Sequence, residues 1–169
     1  LRLYCTLLPE GHRNHWDTPN LFLQKFPAPA FTVSAKVDFH AQMEGDRTGL
    51  IVMGEDYAGL VLEKSGDQIF LSQISCMDTE SGSAGDVHER IEVPPGSIHL
   101  RVEVSEHTAG EGALCSFEYS ADGRRYKKLG EDFTAAPGRW IGAKVGLFAT
   151  SRERTNDSGY ADYDWFRIE

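Results

Sequence analysis

Two short stretches carry the side chains best suited to chemistry. In R-W-I-G-A-K-V-G-L-F (residues 139–148), the two-residue period of a strand puts Ile141, Ala143, Val145 and Leu147 on one face. Trp140 then falls on the other face with Gly142, Lys144 and Gly146. The flat apolar side of an indole matches the C–H face of a sugar ring, a neighbouring lysine can bond a hydroxyl, and the glycines leave a bare floor around both. The same parity also suits a core tryptophan whose face is covered by a second sheet or a long loop, and at this level both readings stay open. In Y-A-D-Y-D-W-F-R-I-E (160–169), Asp162 and Asp164 lie two apart on the face expected for Phe166, opposite Tyr163 and Trp165. Such a pair can give oxygen ligands to a structural Ca²⁺, which needs about six to eight of them, or simply solvate an edge.

Other reactive groups are less well arranged. His12, Asn14 and His15 approach a metal motif, but two histidines three apart on an irregular segment lack the further ligands that zinc requires. His40, His88, His99 and His107 are dispersed, and His40 and His99 fall on the polar faces of their strands. There is no G-x-S-x-G elbow, phosphate-binding glycine loop or H-E-x-x-H, and no local spacing singles out a hydrolytic carboxylate pair. Cys5, Cys76 and Cys115 form neither a disulfide framework nor a zinc pattern, although one pair is free to bridge in an oxidising compartment. Cys115 alternates with Ala113, Phe117 and Tyr119, which predicts a buried, unreactive thiol. Asn156-Asp157-Ser158 matches a glycosylation acceptor by chance.

A formal charge of −9 argues against nucleic acid as a partner. The basic cluster Arg124, Arg125, Lys127 and Lys128 reads as a solvated hairpin beside Asp122-Gly123. No apolar run approaches the roughly 18 residues of a membrane span, so no membrane partner is expected.

The elements that must position these groups are strands. Phe31, Val33, Ala35, Val37 and Phe39 alternate with Thr32, Ser34, Lys36, Asp38 and His40, and Ile98, Leu100, Val102 and Val104 repeat the pattern. Shorter runs, G-L-I-V-M-G, G-L-V-L-E-K and Q-I-F-L-S-Q-I-S, are separated by turn residues. No helical stripe is sustained, so the expected class is all-β: a two-sheet antiparallel β-sandwich over residues 21–169 with little helix. Residues 1–20, with Pro9, Gly11 and Pro19, read as an extended lead-in. The chain opens at Leu1 without an initiator methionine, as expected of a piece of a longer protein.

Four segments in register, 18–33 (T-P-N-L-F-L-Q-K-F-P-A-P-A-F-T-V), 49–64 (G-L-I-V-M-G-E-D-Y-A-G-L-V-L-E-K), 138–148 and 159–169, resemble the C-terminal domain of glycoside hydrolase family 43 enzymes of the β-xylosidase and α-arabinofuranosidase type. The resemblance implies a concanavalin A-like jelly roll without hydrolytic activity of its own. It also implies an N-terminal five-bladed β-propeller in the same polypeptide, which holds the catalytic carboxylates, with residues 1–20 leading in from it. An aromatic of the sandwich reaches the active-site mouth in that family, and the matching position here is Trp140. The family pattern has phenylalanine there, so the larger indole bears on the width of the pocket. A xylo- or arabino-oligosaccharide is the implied ligand, with Trp140 and Lys144 as its contacts, and the periplasm or the cell exterior is the implied compartment. The binding-class alternative is an autonomous carbohydrate-binding module for xylan or arabinan. No cofactor is expected beyond a structural calcium at Asp162 and Asp164.

Overall fold

The computed structural model describes residues 1–106, 112–136, 142–152 and 158–169. Alternating sequence becomes alternating burial in β4 (Phe31–His40), where Val33, Ala35 and Val37 are fully buried between polar neighbours. β4 pairs with β9 (Ser97–Glu106), placing Val33 opposite Val102 and Ala35 opposite Leu100. Around them one sheet forms in the order β1 (Arg2–Tyr4), β14 (Tyr160–Ile168), β4, β9, β10 (Ala113–Ser120) and β11 (Lys127–Lys128), with β12 (Phe133–Ala135) also on β10. The second sheet runs β2 (Thr6–Leu7), β13 (Lys144–Ser151), β5 (Arg47–Met53), β6 (Tyr57–Ser65), β7 (Gln68–Cys76) and β8 (Asp86–Val93), with β3 (Phe22–Lys25) also on β13. Every pairing is antiparallel except β2 on β13. Inner faces of both sheets meet in one core, where Leu50, Val52, Leu60, Leu62 and Val145 oppose Val33, Leu100, Val102 and Phe117. Each such side chain removed from water contributes about 1.5–3 kcal/mol. The architecture is therefore the all-β sandwich that the alternation predicts.

Residues 1–20 are more integrated than an extended lead-in. β1 and β2 add a strand to each sheet, and the segment then folds over the outer face of the second sheet through a single 3-10 turn, His15–Asp17. A second cluster, Ile51, Met53, Tyr57, Val61, Cys76 and Phe148, is buried on that outer face, with Leu21 and Leu23 packed on it. The strand face that carries Lys144 and Gly146 is consequently covered at its Phe148 end, where His15 lies 4.6 Å from the phenyl ring.

The closing strand differs from its simple parity. Its register against β4 shifts between Tyr163 and Trp165, so Asp164 is the extra residue of a β-bulge. Tyr163 faces the core, but Phe166 and Ile168 also pack there, and Trp165 turns outward against His99. Asp164 thus breaks the expected grouping of Asp162, Asp164 and Phe166. A similar shift between β7 and β8 leaves His88 as an extra residue. Among the described residues no helix is long and apolar enough to cross a membrane.

Candidate functional site

The β5–β6 turn, the 3-10 turn and the start of β13 converge at one end of the sandwich. The turn at Gly54–Asp56 is tight, since the Gly54 N–H donates to the Asp56 carbonyl at 2.8 Å. A side chain cannot replace the hydrogen of Gly54, because a Cβ there would sit 2.0 Å from the Ala136 carbonyl oxygen. The Glu55 N–H donates to that same carbonyl at 3.3 Å. On the far side of the 137–141 segment, Lys144 pairs across the strand with Met53 and with Lys25, and the Ala143 carbonyl accepts from the Phe26 N–H. Both flanks of the segment that contains Trp140 are therefore moored to residues 53–55. Trp140 itself lies outside the described residues. Lys144 is half-buried at the first position of β13, and Gly142 stands exposed with open space where a Cβ would be.

The 3-10 turn adds an aromatic that the sequence reading passes over. Asn14 caps the turn: its side-chain oxygen accepts from the Trp16 N–H at 3.0 Å, and its amide donates to the Thr79 and Ser83 carbonyls. The turn sends His15 inward and Trp16 outward. His15 lies 5.2 Å from Tyr57 and contacts the Thr18 hydroxyl, and burial, with the nearby Arg47 charge, pushes its pKa down to about 3. Trp16 is 51% exposed, yet its indole N–H donates to the Glu55 carbonyl at 2.9 Å. The Thr79 hydroxyl donates to the same oxygen at 2.8 Å, so one carbonyl gathers two elements distant in the chain. Hydrogen bonds from Arg13 hold the Asp17 carboxyl down to about 2. His12 and His15 both bond the Thr18 hydroxyl, at 3.0 and 3.3 Å, while the Asn14 amide turns away to the Thr79 and Ser83 carbonyls, so the three residues peg the segment in place and do not share one centre. Only the Asn-x-x-Asp spacing at 14–17 signals the turn in the sequence.

Asp162 and Asp164 are each bound by a cation of the protein. Arg2 grips Asp162 with two bonds of 2.7 and 2.8 Å, which lowers that carboxyl's pKa, and Lys36 pairs with Asp164. Among the described residues no group of three histidine, cysteine, aspartate or glutamate side chains is arranged to hold a metal ion. The bulge at His88 aims that ring at the Ser75 hydroxyl, 2.7 Å away, with the Glu131 carboxylate 3.5 Å from its other nitrogen. Ser75 is buried on β7 and Glu131 is open to solvent, and the chain of bonds clips the Glu131 loop to the sheet. All three cysteines are free and buried, and burial lifts the thiols of Cys5 and Cys115 to about 12, so neither is nucleophilic at neutral pH.

Comparison with known proteins gives this geometry a family. A β-xylosidase of Formosa agariphila is 46% identical over 62 residues, which span 37% of this chain and 10% of that protein. A non-reducing end α-L-arabinofuranosidase of Bacteroides ovatus is 22% identical over 160 residues, spanning 89% of this chain and 28% of its own length. Among solved structures, a bifunctional GH43-CE protein of Bacteroides eggerthii superposes with a TM-score of 0.84 at 20% identity, covering 99% of this chain and 20% of that one. The chain thus spans 10%, 28% and 20% of the length of these three proteins. The profile of the β-xylosidase C-terminal concanavalin A-like domain matches residues 1–169, the whole chain, and the chain belongs to that family.

Proposed function

We propose that this chain is the accessory domain of a pentoside-cleaving family 43 glycosidase. It performs no hydrolysis itself, packs on an N-terminal five-bladed β-propeller of the same polypeptide, and shapes the entrance through which a xylo- or arabino-oligosaccharide reaches the propeller's carboxylates. The observation that carries this reading is the match of the whole chain to a domain family named for its C-terminal place in β-xylosidases. The mooring of both flanks of 137–141 to the β5–β6 turn supports it, because an entrance wall has to be held still to select substrates. In this reading Trp140 is the apolar wall against a pentosyl unit and Lys144 a hydroxyl donor beside it. The parent enzyme works in the periplasm or outside the cell, where pentose polymers are met.

The test is an assay of the 169-residue chain alone and joined to its propeller, on aryl xylosides and arabinofuranosides. The chain alone is expected to be inactive, and Trp140→Ala in the joined protein to raise KM more than it lowers kcat. Hydrolysis by the chain alone, or unchanged kinetics in the joined variant, overturns the reading.

A further inference from the structure

Trp16 is costly as folding alone would have it. An indole half in water leaves apolar surface unburied and forgoes hydrophobic stabilisation. The turn nevertheless keeps it outward while burying Asn14 and His15 before it and Thr18 two residues after it. Its only polar atom is spent on the Glu55 carbonyl, which fixes the plane of the ring before any ligand arrives. Among the described residues no aromatic ring or guanidinium is stacked on the indole, in contrast to Trp165, which lies beneath Arg167 with the centroid 4.4 Å away. Trp16 is thus a rigid, uncovered ring.

Its surroundings say what it suits. Glu55 is exposed and Asp56 half-exposed beside it, and Asp78 and Glu80 flank the buried Thr79 that shares its carbonyl anchor. Arg13, just before the turn, is paired with Asp17. Carboxylates on the residues that anchor the ring disfavour polyanions, and the chain's net charge of −9 has the same sign. What the site offers is a flat apolar ring beside carboxylate acceptors, which suits a ligand with a C–H face and hydroxyl donors and describes a pyranose.

We infer that Trp16, with Glu55 and Asp56, is a contact site for a neutral glycan at the end of the sandwich, separate in residues from Trp140 and Lys144. That the glycan is a pentose chain rests on the function proposed above; that it is a neutral sugar rests on the turn alone. The indole takes a stacked sugar ring, and the carboxylates accept its hydroxyls. The Glu55 N–H also donates to the Ala136 carbonyl, so the site is braced from a second side.

The experiment follows the three indole N–H resonances of the 169-residue chain during titration with xylohexaose and, separately, arabinohexaose. Assignment is by the single variants Trp16→Phe, Trp140→Phe and Trp165→Phe. The Trp16 resonance is expected to shift on saturation with at least one sugar, and Trp16→Ala to weaken binding about tenfold, roughly the worth of one stacked ring. Trp16→Phe, which keeps a flat ring, is expected to recover part of the affinity. A Trp16 resonance unmoved by both sugars overturns the inference, as does one that moves only when the propeller is added, since the ring is then a protein contact. If Trp140→Ala abolishes binding and Trp16→Ala leaves it unchanged, this site falls while the proposed function stands. If Trp16 binds sugar and the joined protein is indifferent to Trp140→Ala, the reverse holds.

Discussion

His15 makes folding acid-sensitive, and the size of the effect follows from its surroundings. The ring is 6% exposed, packed on Phe148 and Tyr57, with Arg47 and His12 as the charged or titratable neighbours that disfavour a further positive charge. Its pKa is about 3 in the folded chain against 6.5 unfolded. Above pH 6.5 neither state binds a proton there, so His15 adds no pH dependence. As pH falls through about 6.5 the unfolded chain takes up the proton and the folded chain refuses it until about 3, so stability is lost throughout that interval. One pH unit of such imbalance is worth about 1.4 kcal/mol, so at about pH 4.5 the loss is about 2.5 kcal/mol. His15→Phe keeps an aromatic ring on Phe148 and Tyr57, and the Thr18 hydroxyl retains His12 as a partner at 3.0 Å. Urea unfolding of both proteins at about pH 7.5 and about pH 4.5 supplies the comparison. Carboxylates such as Asp17, Asp122 and Asp162, held low by hydrogen bonds, lose stability on acidification in both proteins and cancel in the difference. The wild type is expected to lose about 2.5 kcal/mol more than the variant over that range. Equal losses in the two would refute the idea that a buried neutral imidazole pegs the N-terminal segment.

Two more outcomes follow from polar groups elsewhere. The Tyr163 hydroxyl is buried between Thr48 Oγ1 at 2.8 Å and the Gly49 carbonyl at 3.2 Å, so Tyr163→Phe is expected to cost about 1–2 kcal/mol in urea unfolding, and a neutral result would mean that those bonds are not made. With Arg2 on Asp162 and Lys36 on Asp164, adding Ca²⁺ or EDTA is expected to leave Tm unchanged, and a fall in Tm with EDTA would reveal a metal at that edge.

Much of the scaffold was legible because strand periodicity is a property of the backbone. The alternations of β4 and β9 name the buried residues correctly, Val33 through Val37 and Ile98 through Val104, and Asp122-Gly123 marks the turn that returns β10 to β11. Parity failed at Asp164. Nothing in D-Y-D-W announces a bulge, since no glycine or proline is present, and the extra residue is imposed by seating Tyr163 and Phe166 in one core while Lys36 holds Asp164 at the surface. The two short strands of the lead-in leave no signal for a related reason. Arg2–Tyr4 and Thr6–Leu7 are too short to show a period, and become strands only because β14 and β13 offer them unpaired edges.

The same division runs through the candidate site. The face shared by Trp140, Gly142 and Lys144 follows from the two-residue period, and the charge that disfavours polyanions follows from composition. The convergence of Trp16, Thr79 and the Ala136 mooring on Glu55 does not. These contacts join residues 39, 24 and 81 positions apart, and each is accepted by a backbone carbonyl, which every residue carries alike. Side-chain order along one strand is set locally by covalent geometry. Which distant strand ends share a carbonyl is set only when two sheets close on one core.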